Sequence, residues 1–149
     1  MLVVIDANEL FSLLIKGSRL SNEIFLSKNV ELIAPEFLLN ELANHKDELL
    51  FKTHRTDAEF SKLLSVFKDR VRLIPEQEFC QFIPKANELF PEHTKDVSYF
   101  ALALKFNCLI WSEEKLLKKQ VKVPVLNTKK LFDKLNSFSP SSDSSAIFL

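Results

Sequence analysis

The stretch Leu2-Val3-Val4-Ile5-Asp6 is a continuous, partly β-branched apolar run that ends on an acid. A strand with one wet face alternates apolar and polar positions, whereas a run apolar at every position is covered on both faces, as strands of a parallel sheet are. Ligands of such sheets gather beyond the carboxyl ends of the strands, which is where Asp6 would stand.

Working outward, Leu10, Leu13 and Leu14 recur at helical spacing until Gly17 and Ser18, and Leu20, Ile24 and Phe25 predict a second short helix. Glu31 to Ala34 reads as the next strand. Pro35 then opens a helix to about Phe51, since a missing N–H costs nothing at the first helical position. Asp57 to Lys68 is helical and Val71 to Ile74 a third strand. From Gln77 to Phe90 the pattern is helical but interrupted by Pro84. Thr94 is a candidate N-cap for a helix reaching Phe106, so apolar around Val97 to Leu104 that it belongs in the middle of the molecule. Cys108 to Trp111 supplies a fourth strand, Glu114 to Lys119 a short helix, Val123 to Leu126 a fifth strand, and Thr128 to Asn136 a last helix. Strands alternating with helices predict a three-layer α/β/α fold around a central parallel sheet of four to five strands. It occupies residues 1–136. The serine-rich stretch 137–149 has few residues to pack and is expected to be a flexible tail.

Length and composition restrict the function classes. The 149 residues, 46% hydrophobic, suit one domain with a real core. Twenty basic residues balance twenty acidic ones, so attraction of nucleic acid by bulk charge is excluded and any such contact is local. A single glycine, Gly17, removes the Gly-rich phosphate loops of dinucleotide-binding and P-loop proteins. Cys80 and Cys108 are far apart and form neither a zinc ribbon nor a disulfide framework. No signal peptide and no apolar run of membrane-spanning length is present, so a soluble, cytoplasmic protein without membrane contact is expected.

Four acids draw attention by position. Asp6 and Glu114 follow strand candidates and project to one sheet edge; Glu41 lies on the helix after the second strand, and Asp96 in the first turn of the apolar helix. Singly, each has a structural reading: Asp6 as a helix cap, Asp96 as a partner of the helix dipole, Glu41 as half of a surface pair with His45. His45, His54 and His93 show no ligand spacing, and Tyr99 and Trp111 read as core.

The sequence resembles the PIN-domain nuclease family, including toxins of prokaryotic toxin–antitoxin pairs and stand-alone members, over roughly Met1 to Asn136. The likeness rests on Val3-Val4-Ile5-Asp6-Ala7-Asn8, Pro35-Glu36-Phe37-Leu38-Leu39-Asn40-Glu41-Leu42, Lys95-Asp96-Val97-Ser98-Tyr99-Phe100-Ala101-Leu102-Ala103-Leu104 and Ile110-Trp111-Ser112-Glu113-Glu114-Lys115-Leu116-Leu117. It implies metal-dependent endoribonuclease activity at Asp6, Glu41, Asp96 and Glu114. There are departures. The family's fourth acid is usually an aspartate after Thr or Ser and one more residue, whereas Ser112-Glu113-Glu114 offers two glutamates, either of which fills the position. A second acid often adjoins the third, but Lys95 and Val97 flank Asp96.

Elementary electrostatics asks for a cation at such a site. Two unit charges about 4 Å apart repel by about 4 kcal/mol at an effective dielectric near 20. Oxygen ligands without His or Cys select Mg²⁺ or Mn²⁺. In this reading Asp6 and Asp96 are the principal metal ligands, Glu41 a ligand or water-orienting base, and Glu114 a ligand through water. Asn8, Ser112 and Glu113 are supports. Seven lysines against Asp133 between Lys115 and Lys134 add a local positive flank. Lys115, Lys118 and Lys119, nearest the acids, are candidate RNA-backbone contacts, with a solvated helix face as the other reading.

The leading function is thus an RNA-cleaving hydrolase, with an antitoxin as a candidate protein partner and a homodimer or higher homo-oligomer as the expected assembly. The alternative is a PIN-like RNA-binding or protein-interaction module with little or no turnover, motivated by glutamate at 114. A phospho-accepting receiver domain would need paired acids near the start, which Asp6-Ala7 does not supply.

Overall fold

The structure is a computed structural model that describes residues 1–91, 96–120 and 122–146. Five strands, β1 (Leu2–Ile5), β2 (Glu31–Pro35), β3 (Val71–Ile74), β4 (Leu109–Trp111) and β5 (Val125–Leu126), form one parallel sheet in the order β3-β2-β1-β4-β5. Helices flank it, giving the α/β architecture and the upper of the two expected strand numbers. The residues of β1 explain its place. Val3, Val4 and Ile5 are wholly buried and pair with Leu32 and Ile33 of β2 on one side and with Leu109, Ile110 and Trp111 of β4 on the other.

The chain winds from β1 outward to β2 and β3, then crosses back to place β4 on the other side of β1. The reversal opens a crevice at the carboxyl ends of β1 and β4, where open α/β sheets take their ligands.

Between the strands run α1 (Ala7–Lys16), α2 (Arg19–Leu26), α3 (Leu38–Asn44), α4 (Lys46–Thr53), α5 (Asp57–Arg70), α6 (Ile83–Leu89), α7 (Val97–Phe106) and α8 (Thr128–Ala146). Capping boxes start α2 at Ser18 and α5 at Thr56. Helix α7 is the buried helix expected from its composition. Tyr99 to Ala103 are all buried, and it packs on β1, β2, β4 and α6. Asn107 ends it at φ 50°, the left-handed conformation that Asn tolerates better than most residues. No helix among the described residues is long and apolar enough to cross a membrane.

The elements depart from expectation in four places. Pro35 closes β2 instead of opening a helix; it pairs only with Ile74, beyond the ladder with β1, where its missing N–H breaks no sheet bond. The helix predicted to about Phe51 starts at Leu38 and is two helices that meet at His45. Pro84 begins α6 rather than interrupting it, because proline fits the first helical turn. Helix α8 continues beyond Asn136 to Ala146. The Thr94 cap and His93 lie outside the described residues; Asp96 holds the N-cap position of α7.

Candidate active site

Asp6 follows the last residue of β1 and is the N-cap of α1. Its backbone N–H donates to the Trp111 carbonyl at 3.2 Å, extending the β1–β4 ladder by one bond, so the sheet fixes where its side chain emerges. That side chain is buried, and its Oδ2 accepts a hydrogen bond from Ser112 Oγ at 2.9 Å. Ser112 follows β4, is itself fully buried, and accepts the Glu114 backbone N–H at 3.0 Å. A serine at this point thus orients the β1 acid and shapes the loop that carries Glu114.

Burial raises the Asp6 pKa to about 6 against the lowering effect of the Ser112 hydroxyl. The Asp96 charge raises it further, and the amides of Asn8 and Ala7 lower it. Desolvation also raises the pKa of Glu41, on α3, with His45 opposing and Asp96 adding to the rise. Asp6 and Glu41 therefore both feel Asp96. Of the four acids singled out in the sequence, Asp6 and Glu114 line one pocket. That pocket, about 360 Å³, is bounded by Asp6, Asn8, Glu9, Ser12, Glu113, Glu114 and Lys115. A larger cavity of about 720 Å³ lies at the opposite ends of β1 and β4 and is walled by Leu2, Ala103, Leu104, Phe106 and Leu109. Its apolar walls carry none of this chemistry.

The supporting residues separate in role. Glu113 Oε2 accepts both the backbone N–H and the hydroxyl of Thr128 at 2.7 Å, capping α8, while Trp111 Nε1 donates to the same hydroxyl at 3.0 Å. Asn8 is exposed on the pocket wall. Lys115, Lys118 and Lys119 lie on a 3-10 helix (Lys115–Lys119), and only Lys115 of the three borders the pocket. The lysine-rich segment is not one flank: Lys122 and Lys134 line the far cavity, and Lys129 pairs with Asp133 at 3.0 Å. His45 pairs with Glu48 at 3.2 Å, and His54 ends α4 at φ 55°.

Two groups escaped the motif reading. Glu9, on the first turn of α1, is 5% exposed, and its Oε1 has no hydrogen-bond partner among the described residues. Burial, then the charges of Glu113 and Asp6 and a hydrogen bond with Glu113, push its pKa up to about 7. The spacing Asp6-x-x-Glu9 was the available signal, because an acid three residues after an N-cap is a capping-box position. Tyr99 has a ring that packs edge-on against Phe37, as core residues do. Its buried hydroxyl, however, has no hydrogen-bond partner among the described residues; burial and the charges of Glu41, Asp6 and Asp96 raise its pKa.

This donor set is made of hard oxygens under mutual repulsion, and that chemistry fits a divalent cation such as Mg²⁺ or Mn²⁺. The set is not drawn together: among the described residues no three Asp, Glu, His or Cys side chains stand where they could share a metal ion.

The fold is similar to a chain in the crystal structure of VapBC2 from Rickettsia felis bound to a DNA fragment from their promoter. The TM-score is 0.64 at 18% identity, covering 85% of this chain and 98% of that one. No curated protein matches the chain. A PIN domain family model matches residues 4–135, a span that opens in β1, closes in α8 and includes every acid described above; the chain belongs to the PIN domain family.

Proposed function

We propose that this PIN domain is a metal-dependent endoribonuclease that hydrolyses phosphodiester bonds at the crevice beyond β1 and β4. The observation that carries the reading is the place of Asp6, a buried carboxylate oriented by Ser112 where the sheet reverses direction, on a pocket that Glu114 also lines. A site that confines like charges at a cost to the fold is built for an opposite charge to arrive. Asp6 and Asp96 would hold a divalent ion, with Glu114 through water. When bound, such an ion lowers the pKa of water and offsets charge on a phosphate under in-line attack. The residues of the chain do the rest. Ser112 aims Asp6, Glu41 accepts a proton from water at its carboxylate, and Lys115, Lys118 and Lys119 bind the RNA backbone without reading bases.

The test is RNA cleavage with Mn²⁺ or Mg²⁺, with chelator and with Asp6→Asn. Cleavage that needs the metal and is lost in D6N supports the enzyme; indifference to both rejects it. The second reading, a binding module with little turnover, is favoured by the dispersed acids and by the commitment of Glu113 to capping α8. RNA retention without cleavage at any metal concentration selects it.

As to partners, we propose an antitoxin and a homodimer or higher homo-oligomer, in line with the similarity to a VapBC2 chain. Leu26 and Phe51, 62% and 80% exposed, are apolar side chains that such contacts would cover. Light scattering on the purified chain, alone and after co-expression with an adjacent open reading frame, tests both.

A further inference from the structure

The cavity at the amino-terminal ends of β1 and β4 has no part in the proposed reaction, yet at about 720 Å³ it is larger than the acidic pocket. Protein interiors leave few voids bigger than a water molecule, whereas recesses of roughly 300–1,000 Å³ with apolar walls and a few polar groups are the usual shape of small-molecule sites. Leu2 of β1, Leu104 and Phe106 of α7, Leu109 of β4 and Leu135 of α8 form its walls, which are mostly aliphatic. Lys122 and Lys134 also line it, and none of its described lining residues is acidic. Its charge is thus the reverse of that at the other pole.

The walls are fixed by the backbone. Gln120 Nε2 donates to the Leu117 and Val123 carbonyls, and its Oε1 accepts the Val123 N–H at 2.8 Å, which shapes the turn that carries Lys122. Val123 is buried, and the Pro124 carbonyl accepts the Ile110 N–H at 2.9 Å, tying the residues after Lys122 to β4. Across the cavity, Leu2 and Leu109 are held in the ladders of β1 with β2 and β4. A ligand entering such a site orders little that is not already ordered.

We propose that this cavity binds a medium-chain aliphatic carboxylate, its chain against the leucines and Phe106 and its head group at Lys122 and Lys134. A lysine rim without acids attracts an anion and repels a cation, and aliphatic walls favour a hydrocarbon body. The proposal is independent of the nuclease reading.

The experiment titrates the full chain with decanoate, octanoate, decanol and acetate by calorimetry. Decanoate should bind as a single molecule per chain, and acetate not at all. Octanoate, with its shorter chain, should bind about tenfold more weakly. Decanol, which lacks the charge, should bind about fivefold more weakly, and Lys122→Met should weaken decanoate by about the same factor without changing decanol. Leu104→Trp fills the cavity and should abolish binding; if it does not fold, K122M carries the comparison. Cys108 lines the cavity and Cys80 is exposed elsewhere, so the two thiols map the site. Burial raises the Cys108 pKa to about 11, and alkylation by iodoacetamide is therefore followed in alkaline buffer. Decanoate at about ten times its Kd should slow alkylation of Cys108 about tenfold and leave Cys80 unchanged. No binding of decanoate, decanol binding as tightly as decanoate, or equal protection of both thiols overturns the proposal. So does a Cys108 that is shielded without ligand and becomes reactive on dilution, since a second copy of the chain then covers the cavity.

Discussion

Asp6 is held at a pKa of about 6 and Glu9 at about 7, both above the 3.8 and 4.5 usual for these side chains. The folded state therefore binds these protons more tightly than the unfolded chain, and the associated stability is present in acid and lost as pH rises. For Asp6 the loss runs from about pH 4 to 6, and Glu9 extends it to about 7. Urea unfolding at pH 5 and 7.5 should show the decline from these groups, and D6N should flatten the Asp6 part. At pH 7.5 the same variant should gain about 2 kcal/mol over wild type while losing all cleavage, the usual trade between activity and stability at a charged site. Ser112→Ala leaves the Asp6 carboxylate and the Glu114 N–H without a shared partner. It should cost about 1–2 kcal/mol in the same measurement and move the Asp6 titration, followed by carboxyl NMR, further upward. Asp6 was legible from a strand ending on an acid, and Ser112 as a support in the motif that follows the fourth strand. Glu9 was not, because its direction depends on a sheet bond to Trp111 formed 105 positions further along the chain.

Elements with a strong period or a hard stop were readable: β1 from its unbroken apolar run, α5 from its phenylalanine and leucine stripe, α7 from the near absence of polar positions. Prolines misled, since the ring fits both the end of a strand and the start of a helix, and only neighbouring strands decide. Pro35 lies past the β1 ladder, and Pro84 lies within a first turn. The joint at His45 was hidden because Leu38, Leu42 and Leu49 keep one apolar stripe across both helices. Tertiary partners also stop helices where the sequence gives no sign. Arg70, the last residue of α5, donates to the carbonyls of Phe25 and Ser27 at 2.8 and 2.9 Å and so satisfies the end of α2 from a distance. At the end of α7, Asn107→Ala places an ordinary side chain in left-handed backbone. A loss of about 1 kcal/mol is expected by thermal unfolding, with Asn107→Gly near wild type.

For the whole molecule, the strand order sets the geography: acids at one pole of the sheet, an apolar cavity at the other, and β1 between them. A parallel fold of this kind was legible from the alternation of elements; the reversal at β1 was not, because nothing local in β4 states which side of β1 it joins. If a divalent ion relieves the Asp6–Asp96 repulsion, Mn²⁺ at 100 times its dissociation constant should stabilise the fold by about 2.7 kcal/mol, read as a rise in Tm at pH 7.5. D6N should remove that rise. The central position of β1 also bears on how the protein fails. Its strand is hemmed in on both flanks, so the perimeter strands β3 and β5 can fray without dislodging Asp6. Heat inactivation should accordingly track cooperative melting of the whole domain instead of preceding it, and brief warming that loosens only the periphery should leave full activity on cooling.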